Sequence, residues 1–274
     1  MSHGEEQAYV LGTGDDELAR LGFQHRVWAE HAFALWDRAG FTRGQTLLDL
    51  GCGPGYATLD LAAIVGSTGC VLAIDNSERF LKHLRTVCEA TRVGHVETKL
   101  ADVHEMSLAP ASLDGVYVRW VLCFVEDPAK VVRQVANALK PGGVFAITDY
   151  LDYLALALSP RSKAMEQVAG AVAESWRRRG GDCDIVIRLP EMLRSAGLEV
   201  RDVRPISRAA RPGSALWGWP EIFFRIYVPV LVEAGLLTQE DQAEFHADWT
   251  AASNNPAAFF LTPTVCDLIA VKPA

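Results

Sequence analysis

The chain has 274 residues, half of them apolar and 22% charged, with 26 Lys and Arg against 34 Asp and Glu for a net charge of −8. That composition excludes a disordered chain, a fibrous protein and a disulfide miniprotein. A protein that holds nucleic acid by its phosphates needs a basic footprint, and Arg177-Arg178-Arg179 is the only basic cluster of note.

The opening Met1-Ser2-His3-Gly4-Glu5-Glu6 lacks the basic start and apolar stretch of a signal peptide. No uninterrupted apolar run reaches the roughly 18–20 residues of a membrane span. The six cysteines, at 52, 70, 88, 123, 183 and 266, form no CxxC pair. They read as reduced core residues, and the expectation is a cytoplasmic protein with no metal site.

Residues 15–39 carry apolar positions at helical spacing and stop at Gly40, with Gly22 as a point where the helix could split in two. Thr46-Leu47-Leu48-Asp49-Leu50 is a buried strand that runs into glycines. A helix over 56–65 and a Gly-Ser-Thr-Gly turn follow. The second strand, 70–74, ends at Asp75, and Ser77 caps the next helix, which runs to about Ala90. A third strand at 96–100 ends near Asp102, and a fourth at 115–119 ends at Arg119. Asp127-Pro128 opens a helix that closes at Lys140-Pro141-Gly142-Gly143, before a fifth strand at 144–148.

This alternation predicts an α/β fold with a doubly wound, mostly parallel sheet. Such sheets bind ligands at the carboxyl ends of their strands, which singles out Asp49, Asp75, Asp102, Arg119 and Asp149. The second half is less regular. It reads as helices at 160–179 and 189–196, a strand at 199–203, two helices within 216–252 and a last strand within 259–271. Two further strands extend the sheet, with a helical cap inserted among them.

Asp49-Leu50-Gly51-Cys52-Gly53-Pro54-Gly55 after the first strand is the strongest chemical signal. Glycines there permit a tight turn and let a ligand approach the backbone. A nicotinamide oxidoreductase would space them as GxGxxG, but Tyr56 stands where the third glycine belongs.

The motif resembles the first motif of class I S-adenosylmethionine-dependent methyltransferases of the small-molecule type. Ala73-Ile74-Asp75-Asn76-Ser77, Ala101-Asp102-Val103, the stretch 113–128 and Lys140-Pro141-Gly142-Gly143 resemble the later motifs, in order, over 44–149. The resemblance implies a Rossmann-like core, S-adenosyl-L-methionine as cofactor and S-adenosyl-L-homocysteine as product. It implies that Asp49 and the backbone of Gly51, Cys52, Gly53 and Gly55 hold the methionine end. Asp75 would take the ribose hydroxyls, Asn76 would lie beside adenine, and Asp102 would accept from its amino group with Val103 on the ring. Arg119 would lie near the transferred methyl. A non-catalytic cofactor-binding module is the other reading the motifs allow.

Acceptor motifs for DNA, protein amide or catechol methylation are missing, which with the acidic charge points to a small-molecule acceptor, and the aromatic stretch at 216–230 makes an apolar or aromatic one the expectation. The residues expected to reach the site from the first helix are Gln24 and His25, with Arg20, Trp28 and His31 near the same face. His25, Tyr150 and Asp149 are the candidate bases. Trp217, Trp219, Phe223 and Tyr227 are expected to form a lid over the acceptor, hinged at Gly218, or a homodimer contact. The expected division is an N-terminal helical cover at 1–43, the cofactor core at 44–150, and sheet strands plus substrate cap at 151–274, in one compact unit. Nucleic acid and membrane are not expected partners.

Overall fold

The computed structural model describes residues 13–274; Met1–Glu6 and the beginning of the 1–43 cover fall outside them. A 24-residue helix, α1 (Asp15–Arg38), crosses the molecule before the first strand. The core then alternates as expected: β1 (Thr46–Leu50), α2 (Tyr56–Val65), β2 (Cys70–Asp75), α3 (Glu78–Thr91), β3 (Val96–Leu100), β4 (Leu113–Arg119), α4 (Pro128–Ala138) and β5 (Leu139–Asp152). The Ser77 side chain accepts from Phe80 N–H and the Asp127 side chain from Lys130 N–H, so both predicted caps form. β5 outruns its predicted bounds at both ends.

After β5 come β6 (Ala157–Ser159), α5 (Lys163–Arg178), α6 (Leu189–Ser195), β7 (Glu199–Ile206), β8 (Ala209–Ala210), α7 (Ala215–Glu233), α8 (Gln239–Ser253), β9 (Phe259–Leu261) and β10 (Thr264–Val271). The main sheet has seven strands in the order β3-β2-β1-β4-β5-β10-β7. β1 to β5 pair in parallel, and β10 runs antiparallel to both β5 and β7. A second sheet, β6-β9-β8, has three short strands that were not anticipated. Strands of two or three residues leave no periodicity to read.

Gly22 does not split α1. A Cβ there would lie 2.9 Å from the Tyr56 ring, so glycine lets the helix settle on that ring, whose hydroxyl donates to Leu18 C=O. Gly218 plays the same part in the first turn of α7, where a Cβ would come within 3.2 Å of Phe23. It lies inside a helix as a point of close helix approach, where a hinge had been expected. The far end of α1 is tied down by Arg38, which donates to Asp202 and to buried Asp267.

α7 is long and apolar enough to cross a membrane by length and composition alone, although Glu221 and Arg225 interrupt its apolar run as the sequence indicates. It packs against α1, α5 and α8.

Candidate functional site

The parallel strands end at a cavity of about 520 Å³. That volume is ordinary for a small-ligand site, which spans about 300–1,000 Å³. Asp49, Gly51, Cys52 and Gly53 meet it from the first strand and its loop, Asp75 and Asn76 from the second strand, Asp102 and Val103 from the third. Gly55 does not line it. A Cβ at Gly55 would meet Leu84 at 2.4 Å, and φ of 85° demands the left-handed region, so its glycine serves the turn.

The N–H groups of the glycine loop are largely engaged within the protein. Gly51 and Cys52 donate to Ile74 C=O, Gly53 donates to Asp75 Oδ2 at 2.8 Å, and Gly55 donates to Cys52 C=O. Asp75 Oδ1 also accepts from Ser77 N–H at 2.9 Å. The carboxylate therefore holds the loop and the start of α3 together while facing the cavity. Asp102 accepts from the His104 backbone N–H and lies 2.8 Å from His104 Nδ1.

Buried Asp49 accepts from Thr58 Oγ1 at 2.6 Å. Burial pushes its pKa up to about 6, with Thr58 and the charge of Arg119 pulling the other way. Asp149 is likewise raised to about 6 by burial. A carboxyl raised in the folded state binds its proton more tightly there, so its contribution to stability is lost as pH rises through about 6. Burial lowers the pKa of His31, which works in the opposite direction as pH falls. Asp49→Asn is expected to keep the Thr58 bond and remove one ionisation. The fall in melting temperature from about pH 5 to about pH 7.5 should then be smaller than in the wild type, by an amount on the order of 1 kcal/mol in stability. An unaltered pH profile would contradict the buried, raised carboxyl.

α1 closes one side. Glu17 and Arg20, both buried, form a two-point ion pair, and Arg20 Nη1 donates to Gln24 Oε1 at 3.1 Å. The same Gln24 oxygen accepts from Trp219 Nε1 at 3.0 Å, which links α1 to α7. His25 lies between Asp60 and Arg119, with Nε2 at 2.8 Å from Asp60 Oδ2 and Nδ1 at 3.0 Å from Arg119 Nη2. Trp28 is core, and His31 packs edge-on against it without reaching the cavity.

The opposite wall is aromatic. Trp219, Trp120 and Tyr150 form a nearly parallel column, with ring centroids 5.8 and 6.1 Å apart. Trp120 sits at the end of β4 with φ of 52°, a left-handed backbone that costs a bulky residue energy and is kept where surroundings enforce it. Trp176 tilts against Tyr150 and Tyr153 meets it edge-on, and Pro220, Phe223 and Phe224 add to the lining from α7. Trp120, Tyr153 and Trp176 were not singled out from the sequence. Trp120 directly follows a strand-end residue that was, and this was the available signal.

Besides Gly55, three predicted residues stand elsewhere. Asp149 is fully buried beneath the cavity, its oxygens accepting from the backbone N–H groups of Tyr150 and Cys123. Trp217 packs on Trp249, and the Tyr227 hydroxyl pairs with Ser175 at 2.8 Å. Neither lines the cavity. Arg177 and Arg178 pair with Glu174 as an exposed helix end, whereas Arg179 reaches the cavity rim. Among the described residues, no three His, Cys, Asp or Glu side chains gather as a metal set.

A family model described as a methyltransferase domain matches residues 48–147. The ubiquinone/menaquinone biosynthesis C-methyltransferase UbiE of Klebsiella pneumoniae is 32% identical over 152 residues, covering 55% of this chain and 58% of that protein. The curated relatives named first by similarity are matched over only 28% to 58% of their own length. Haemonchus contortus phosphoethanolamine N-methyltransferase 2, solved with phosphomonomethylethanolamine and S-adenosylhomocysteine, aligns at TM-score 0.56 and 19% identity, covering 89% of this chain and 53% of that one. The YcgJ protein from Bacillus subtilis aligns at TM-score 0.60 and 15% identity, covering 89% and 99%. At such identities the structural matches speak for the fold. Residues 48–147 are a methyltransferase domain, carried on a sheet with the fold of class I S-adenosylmethionine-dependent methyltransferases, and S-adenosylmethionine is its cofactor.

Proposed function

We propose that this chain moves a methyl group from S-adenosylmethionine to an O, N or C atom of a small apolar or aromatic molecule. The observation that carries this reading is one cavity with two chemically different ends, charged at the strand termini and aromatic beneath α7. The charged end fits the cofactor. It offers the carboxylates of Asp49 and Asp75, and Arg119 Nη1 is buried with no protein partner. In this reading Asp75 takes the ribose hydroxyls, Asn76 and Val103 flank adenine, Asp102 accepts from its amino group, and Asp49 and Arg119 hold the methionyl end. The cover, the core and the cap at 151–274 each supply one wall.

The bound cofactor supplies an electrophilic sulfonium methyl and leaves as S-adenosylhomocysteine. The protein's task is then to align an acceptor lone pair with it and to keep water out. Alignment alone can be worth about 7–11 kcal/mol of barrier. None of the three expected bases is placed to act. Both His25 nitrogens are engaged, Asp149 is sealed under backbone, and burial pushes the Tyr150 phenol far up, so it stays protonated. Tyr150 serves as wall and hydrogen-bond donor. The acceptor therefore brings its own nucleophile, as an amine, a phenolate or an electron-rich ring carbon does.

The test is a screen of phenols, catechols and aryl amines with isotopically labelled cofactor, followed by Trp219→Ala and Phe223→Ala on whichever acceptor turns over. Each variant is expected to lower kcat/KM by about tenfold or more, in line with the loss of one aromatic wall. S-adenosylhomocysteine affinity should stay nearly constant. Unchanged acceptor kinetics, or conversion of a dimer to a monomer with kinetics intact, would remove the acceptor role of α7.

A further inference from the structure

His25 donates and accepts in one fixed sense. An arginine side chain has only donors, so the His25 nitrogen facing Arg119 Nη2 must present a lone pair. Nδ1 is therefore bare, Nε2 carries the proton, and Nε2–H donates to Asp60 Oδ2. One neutral tautomer satisfies both contacts, and it leaves no nitrogen free to take a substrate proton. A pairing of this kind suits a group that orients its neighbour.

The neighbour is Arg119. Its Nη2 is held by His25, and its guanidinium carbon sits 5.3 Å from the centroid of the Trp120 ring. Held at two points, the guanidinium keeps Nη1 buried beside the cavity with no protein acceptor. A charged donor left this way is costly unless a ligand completes it. Asp49, at the end of the adjacent strand β1, feels the charge of Arg119. A fixed cationic donor next to a buried carboxyl is the complement of an α-amino-acid zwitterion.

We propose that Asp60 and His25 form a positioning pair that aims Arg119 Nη1 at the α-carboxylate of the cofactor's amino-acid end, with Asp49 facing the α-ammonium. This rests on the cofactor placement proposed above. Asp60 is on α2 and His25 on α1, so the pair also couples docking of the N-terminal helix to recognition of that carboxylate.

Two nucleosides separate the amino-acid end from the rest: S-adenosylhomocysteine carries it, and 5′-methylthioadenosine lacks it. By calorimetry, His25→Phe is expected to weaken S-adenosylhomocysteine roughly 10- to 100-fold, as for one lost charge-assisted hydrogen bond, and to leave 5′-methylthioadenosine unchanged. His25→Gln, whose amide repeats the acceptor and donor pattern, should recover most of the loss. Asp60→Leu should reproduce the His25→Phe effect and gives the same readout if His25→Phe fails to fold. In Arg119→Met, adding His25→Phe should cost nothing further. Equal weakening of both nucleosides, or none of either, in the His25 and Asp60 variants would overturn the positioning role while leaving the cofactor site intact. Failure of the wild-type protein to bind either nucleoside would overturn the cofactor placement itself.

Discussion

Asp75→Ala is expected to weaken S-adenosylhomocysteine binding by about 10²- to 10⁴-fold, since two hydrogen bonds to a charged group are each worth about 1.5–3 kcal/mol. The carboxylate is proposed to hold two ribose hydroxyls, and it also accepts from Gly53 and Ser77 N–H. Truncation strips both backbone donors of this partner, which adds about 1–3 kcal/mol of destabilisation for each one left unmade. The melting temperature of the cofactor-free protein should fall as well. Asp75→Asn separates the two effects, because its amide oxygen still accepts while its NH₂ faces one donor. Calorimetry and thermal melts on both variants check this, and wild-type affinity in Asp75→Ala would sink the ribose assignment.

Trp28→Ala is expected to cost about 3–5 kcal/mol of stability, the range for removing a large buried aromatic. Trp28 is 1% exposed. Its ring meets Trp120 and Trp219 edge-on at 5.4 and 5.2 Å, and the Arg208 guanidinium lies 5.1 Å above it. One side chain thus joins α1, the end of β4 and α7. The void cannot be filled by collapse without displacing the helix that carries Gln24 and His25. Urea denaturation should show a lower midpoint with an unchanged slope, and cofactor affinity should drop with it. Trp28→Phe should cost less than half as much. A loss below about 1 kcal/mol in Trp28→Ala would mean that α1 is not held by this contact.

The core was legible because its signals are local. Strand-helix alternation over 46–148, the Asp127-Pro128 cap and the polar strand ends all lie within short windows, and the cavity gathers Asp49, Asp75, Asp102 and Arg119 as strand ends should. The lid was half legible. Trp217 and Trp219 sit two residues apart on one helix, about 200° around its axis, so they cannot share a face. Trp219 and Phe223, four apart, do share the cavity face, while Trp217 turns to Trp249. Helical periodicity could have separated them. Nothing local marks Tyr153 and Trp176, which reach Tyr150 through tertiary packing, or the left-handed backbone of Trp120.

β10 follows every other strand in the chain yet lies inside the main sheet, between β5 and β7. As the polypeptide leaves the ribosome, β1 to β5 can pair in order, but β7 emerges with no neighbour to receive it. It must wait while some sixty further residues are synthesised, at a pace of about 5–20 per second. For those seconds the β5 edge is open, its Val144, Ala146 and Ile147 unpartnered until Val271, Ile269 and Leu268 arrive. An open apolar edge invites pairing with another nascent chain. Yield in a heterologous host should therefore respond to chaperone supply and growth temperature more than the stability of the finished protein would suggest. A deletion after residue 263 would remove an interior strand of the main sheet, leaving β7 with no place to join.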